Sequence, residues 1–229
     1  MFDHIRENLE RINHNIAEAA RRSGRKPDDI TLVGVSKTFP AEAIKAAVGF
    51  GLTDIGESRL QEAEPKIGKL GKIARWHMIG HLQTNKVKKV VAIFNFIQSV
   101  DSLKLAEEIN RRAAEINKKI DCLIEVNSSA EDSKSGIAPE LALELIDNAA
   151  GLENVNLRGI MTIGPLTDDR QLIRRAFRKT RELFEIAGKS AGAGFDTLSM
   201  GMSDDYEIAI EEGSDMVRIG TALFGKREG

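Results

Sequence analysis

Eight short runs rich in apolar and β-branched residues recur along the chain, and helical patterns separate most of them. The runs are Thr31–Ser36, Thr53–Gly56, Trp76–Gly80, Asn95–Ser99, Asp121–Asn127, Asn156–Thr162, Thr197–Met200 and Met216–Gly220. The helical stretches include Pro40–Phe50, Ser102–Lys118, Pro139–Ala150, Asp169–Ala187 and Asp204–Glu211. Pro40 and Pro139 suit a first helical turn, where a missing N–H costs least, and Asp101 and Asp204 suit N-caps. Strands alternating with helices need crossover connections, and those give a parallel sheet. Eight such units in 229 residues approach the lower end of the α/β class known as the (β/α)8 or TIM barrel. A doubly wound open sheet is the alternative, because Thr53–Gly56 is short for a strand. Residues 1–24 predict an extra helix ahead of the first strand, with Ile5, Leu9, Ile12, Ile16, Ala19 and Ala20 at helical spacing. Nothing reads as a linker, so residues 1–229 are expected to form one domain.

Composition narrows the function classes. Lys and Arg number 33 against 35 Asp and Glu, which argues against a generally basic nucleic-acid-coating surface. Charge runs such as Lys86–Lys89 and Arg174–Lys179 lie in helical patterns and read as solvated faces. Cys122 is the one cysteine, so no intrachain disulfide or thiolate metal cluster is available. No apolar run approaches the roughly 18–20 residues a membrane span requires. With no apolar signal segment at the start, a cytoplasmic protein is expected.

Common catalytic signatures are missing. There is no GxxxxGK[ST], no GxGxxG after a strand and no HExxH, and His4, His14, His77 and His81 lack metal-ligand spacing. His4 and His14 read as polar-face residues of the first helix. The informative residues are at strand ends, where barrel chemistry gathers and where phosphate binds beside strands seven and eight. Strand one ends at Ser36-Lys37-Thr38. A lysine at a barrel mouth can have its pKa lowered by apolar walls and form an imine with an aldehyde; read from position alone, Lys37 is more readily one of many solvated lysines. Strand seven ends at Ser199-Met200-Gly201-Met202-Ser203, and strand eight at Arg218-Ile219-Gly220-Thr221. Small residues, hydroxyls and a fixed cation there suit a phosphate cradle, with ordinary turn chemistry as the alternative.

Seven segments taken together carry a more specific signal: VGVSKTFP (33–40), GESRLQE (56–62), WHMIGHLQTNK (76–86), EVNSSAEDSKSG (125–136), LRGIMTIGP (157–165), LSMGMSDD (198–205) and VRIGTALFG (217–225). In this order over nearly the whole chain, they resemble the pyridoxal phosphate homeostasis (YggS/PROSC) family. The resemblance implies a lone (β/α)8 barrel of the fold-type III kind, like the N-terminal domain of alanine racemase, that binds pyridoxal 5′-phosphate (PLP). It implies that Lys37 forms the internal aldimine and that Arg218 faces the pyridine nitrogen. Gly220, Thr221 and Ser203 would hold the phosphate, with Ser199 as the alternative serine. Met161, Met200 and Met202 are candidates to line the pocket, or simply fill core gaps. Ser58 stands where the family usually has asparagine; the hydroxyl loses an amide donor and reach. His77 reads as a packed residue, while His81, Gln83 and Asn85 suit polar contacts at the mouth. Lys134 and Ser135 either close over the site or belong to a solvated loop.

Three functions follow for weighing. The first is reversible, non-catalytic PLP binding that buffers or delivers the cofactor inside the cell, with PLP-dependent apo-enzymes as candidate recipients. The second is a PLP-dependent amino-acid racemase, and the third a Schiff-base aldolase without cofactor. The racemase reading is disfavoured because Tyr206, the one tyrosine, lies just after strand seven, and because only Thr221–Gly229 follow strand eight. The chain is expected to be a monomer with no nucleic-acid, membrane or metal partner.

Overall fold

The computed structural model describes residues 2–128, 135–192 and 194–225. Its strands are β1 (Thr31–Val35), β2 (Asp54–Glu57), β3 (Arg75–Met78), β4 (Phe96–Val100), β5 (Ile120–Val126), β6 (Val155–Thr162), β7 (Thr197–Ser199) and β8 (Met216–Ile219). They form a closed barrel in sequence order, and β8 returns to pair in parallel with β1 through Leu32↔Val217 and Val33↔Arg218. All eight expected strands are present, and the open-sheet alternative falls to that β1–β8 closure.

The helices are α1 (Asp3–Arg22), α2 (Ala41–Gly49), α3 (Leu60–Leu70), α4 (Val87–Ile93), α5 (Leu103–Ala114), α6 (Pro139–Ala150), α7 (Arg170–Ala191), α8 (Tyr206–Glu211) and α9 (Thr221–Phe224). No helix is expected from the sequence over 60–70. There α3 forms despite Pro65 in its interior, its Leu60 and Ala63 buried against the sheet. Two caps move by one residue. Ser102, not Asp101, accepts the Leu105 N–H at the start of α5. Asp205, not Asp204, occupies the cap position of α8, where its carboxylate takes the Met202 N–H at 2.6 Å instead of a helical one.

Alternation along the strands sorts side chains between two cores. Val217 and Ile219 on β8 join the large apolar layer between sheet and helices. Met216 and Arg218 alternate into the barrel, where Met216 meets Gln98 of β4 and Arg218 meets Ser199 of β7. Phe96, Leu123 and Met161 form a smaller apolar cluster of their own. The extra helix α1 joins the outer ring. Its stripe Ile5, Leu9, Ile12, Ile16, Ala19 and Ala20 is buried, and the helix packs on α8 and α9. With α9 a single turn, α1 covers the apolar surface that a longer last helix would take. Asn8 Nδ2 donates to Leu223 O and Asn15 Nδ2 to the Tyr206 hydroxyl, both at 3.0 Å. No helix among the described residues is long and apolar enough to cross a membrane.

Candidate functional site

Lys37 sits in a tight turn at the C-terminal end of β1, closed by Phe39 N–H donating to Ser36 O at 3.1 Å. Thr38, the residue after it, has φ +71°. A β-branched residue in the left-handed region costs on the order of 1–3 kcal/mol and persists only where its surroundings enforce it. Three neighbours do so. Glu62 Oε2 accepts the Thr38 N–H at 3.0 Å, Lys66 Nζ donates to Ser36 O at 2.8 Å, and Ser36 Oγ donates to Glu57 Oε1 at 2.6 Å. Lys66 also pairs with Glu57 at 2.7 Å. Glu57 is fully buried and its Oε2 has no hydrogen-bond partner among the described residues. Lys37 itself is half-buried.

Arg218 lies almost completely buried on β8. Its Nη1 donates to Ser199 Oγ at 2.6 Å and its Nη2 to Thr162 O at 2.7 Å. Burial lowers the guanidinium pKa to about 10, while Asp205 and Glu125 pull the other way; the group keeps its charge at neutral pH. Glu125, on β5, is pushed up to about 7, mainly by burial, against the pull of Arg218 and with a further push from Asp101. Its Oε2 has no partner among the described residues. Arg218, Glu125, Asp101 and Asp205 are thus electrostatically coupled around one mouth.

The loops after β7 and β8 come together. Ser203 Oγ accepts the Ala222 N–H at 3.2 Å, and Arg218 N–H donates to Gly201 O at 3.0 Å. Gly201 has φ +95°, and a Cβ there would lie 2.6 Å from that of Ala209 and 2.9 Å from the Tyr206 Cα, so only glycine fits. A Cβ on Gly220 would approach Val35 O to 3.3 Å, which brings the β8 loop against the end of β1. Thr221 is exposed beside them.

The remaining expected residues divide. Ser58 is half-buried at the end of β2, wedged by the β3 loop: a Cβ on Gly80 would fall 2.3 Å from Ser58 O. Ser199 is fully buried, with its hydroxyl engaged by Arg218 and Gln98, so it buttresses the arginine inside the barrel. Met200 is buried in the layer between sheet and helices, Met161 within the small apolar cluster, and Met202 is exposed at the rim. His77 is packed: stacked on Phe96 with ring centroids 4.9 Å apart, held by Asp54 and Gln98, and kept neutral by burial. His81 pairs with Asp101 at 3.2 Å. Gln83, Asn85 and Ser135 are exposed, and Lys134 lies outside the described residues. No set of three His, Cys, Asp or Glu suited to a metal occurs among the described residues. Nothing in the sequence distinguishes Glu57, Lys66, Gln98 and Glu125 from other polar residues. A buried charge is visible there only as one more Glu or Lys.

Residues 8–228 match the family model of the alanine racemase N-terminal domain. The pyridoxal phosphate homeostasis protein of Aquifex aeolicus (strain VF5) is 43% identical over 223 residues, covering 97% of this chain and 98% of its own length. Among solved structures, PipY of Synechococcus elongatus with PLP bound is similar at TM-score 0.81 and 34% identity, over 92% of this chain and 100% of that one. Alanine racemase from Corynebacterium glutamicum shares the fold at TM-score 0.73 and 14% identity, over 100% of this chain and 62% of the racemase.

Proposed function

Since the chain belongs to the pyridoxal phosphate homeostasis protein family, whose barrel is that of the alanine racemase N-terminal domain, we propose that it binds PLP reversibly and covalently through Lys37 and so buffers the cofactor or delivers it to apo-enzymes. When bound, PLP supplies an aldehyde with which an amine can condense, water leaving. The relative from Aquifex aeolicus bears the homeostasis name, and PipY has been solved with PLP bound. Both support a PLP-binding role here.

The donor set fits the group. Lys37 provides an amine on a turn that its neighbours hold rigid. Arg218 provides a buried cation that cannot readily give up its proton; opposite the pyridine nitrogen it would keep that nitrogen unprotonated. Ser203, Gly220, Thr221 and the start of α9 form a cradle of hydroxyl and N–H donors suited to phosphate. Ser58 sits close enough to the β3 loop to line the mouth, with a shorter reach than asparagine. The observation that carries the reading is the closure of β8 on β1, which puts the Lys37 turn and the Gly220 loop side by side at one end of the barrel. Borohydride reduction of the PLP-loaded protein, followed by peptide mapping, tests it: a pyridoxyl group on Lys37 is expected, and labelling confined to another lysine overturns the assignment.

A further inference from the structure

A line of polar side chains crosses the barrel interior beneath the mouth. Arg218 Nη1 donates to Ser199 Oγ at 2.6 Å, Ser199 Oγ to Gln98 Oε1 at 2.7 Å, and Gln98 Nε2 meets His77 Nδ1 at 2.9 Å. His77 Nε2 then reaches Asp54 Oδ1 at 2.8 Å. The five residues come from β8, β7, β4, β3 and β2, and all are buried. Barrel interiors of this kind are ordinarily filled by branched apolar side chains. Burying so many polar groups is costly unless each is satisfied.

With the imidazole neutral, as its burial favours, one arrangement of protons gives every link a donor and an acceptor. A guanidinium can only donate, so Ser199 Oγ accepts from it and spends its own proton on Gln98 Oε1. The Gln98 amide nitrogen can only donate, so His77 Nδ1 is the acceptor and the imidazole proton resides on Nε2. That proton faces the Asp54 carboxylate. Turning the Gln98 amide over would give Ser199 two donors and would leave a bare imidazole nitrogen against a carboxylate. The donors therefore run in one direction, from Arg218 to Asp54, and Thr53 Oγ1 donates to the other Asp54 oxygen at 2.6 Å.

From this geometry we infer that Ser199, Gln98, His77 and Asp54 are positioning residues for Arg218, a support that fixes the guanidinium from below. Thr162 O holds the second guanidinium nitrogen, so the arginine is held on two sides. The inference rests on Arg218 facing the cofactor ring.

Two measurements test it. The first needs no PLP: ¹⁵N-edited NMR of the histidine rings should show His77 as the neutral Nε2–H tautomer. The Nδ1–H tautomer or an imidazolium would overturn the proton order. The second is a double-mutant cycle on PLP affinity. Ser199→Ala, and independently Gln98→Met, should weaken PLP binding about ten-fold when Arg218 is present and leave it unchanged when Arg218→Ala is already in place. Equal losses in both backgrounds, or no loss in either, would overturn the inference, since a merely structural role would not depend on Arg218. Wild-type protein that took up no PLP on a lysine would instead refute the proposed function, and that is read before any variant. Ser199→Ala removes one buried oxygen atom and keeps the test available should Gln98→Met fail to fold.

Discussion

Lys66 Nζ lies 2.7 Å from Glu57 Oε1 and 2.8 Å from Ser36 O, so one partly buried ammonium ties the end of β2 to the turn that carries Lys37. Lys66 is 12% exposed and Glu57 0%. Lys66→Met would strand the Glu57 carboxylate with only the Ser36 hydroxyl as donor. Breaking a buried pair from one side costs about 3–5 kcal/mol. Urea unfolding should show a loss of that size, and PLP uptake on Lys37 should fall with it as the turn loosens. Glu57→Gln in the Lys66→Met background should recover part of the stability, because the stranded charge is gone.

Glu125 predicts a pH dependence with a definite sign. Its folded pKa is raised to about 7 by burial, above the usual carboxylate range. Between about pH 4.5 and 7 the folded state therefore binds more protons than the unfolded one, and stability falls as pH rises through that window. Above it the loss is complete, on the order of 3 kcal/mol. Glu125→Gln should flatten this slope and stabilise the protein at neutral pH; denaturation midpoints of both proteins across that range measure it.

At the phosphate end, Ser203→Ala combined with Thr221→Ala should weaken PLP binding, each lost charge-assisted bond being worth about 1.5–3 kcal/mol. Equilibrium dialysis against PLP reads the change. Unchanged affinity would remove both hydroxyls from the cradle.

Racemisation is not expected. Tyr206 is buried, its hydroxyl accepts from Asn15 on α1, and burial pushes its pKa up. It is committed to the outer ring of helices. Solvent deuterium incorporation at the α-carbon of alanine should match free PLP; turnover of about 1–1000 per second, as for an ordinary enzyme, would contradict this reading.

What could be read in the sequence had a periodic or local origin. The stripe from Ile5 to Ala20 predicts its own burial, and the eight apolar runs predict eight strands to within one or two residues. That Lys37 and Ser203 lie just past strand ends and Arg218 near the end of β8 is legible in the sequence. Ser199 and Met200 show the limit. In a three-residue strand one step of register decides which face a side chain takes, and here Ser199 points to Arg218 while Met200 packs against helices. The polar line from Asp54 to Arg218 was beyond reach for another reason. Its members are polar residues from five strands, and nothing local to any of them specifies which others the barrel will bring within 3 Å.

The seating of α1 has a consequence for biosynthesis. Asn8 and Leu223 are bonded partners 215 residues apart, and Asn15 and Tyr206 are 191 apart. This helix leaves the ribosome 191 to 215 residues ahead of the partners that hold it on α8 and α9. At about 5–20 residues per second, the part of its apolar stripe that α8 and α9 cover stays bare for roughly 10–40 s during each round of translation. For that interval the nascent chain presents a sticky amphipathic helix, a ready target for chaperones.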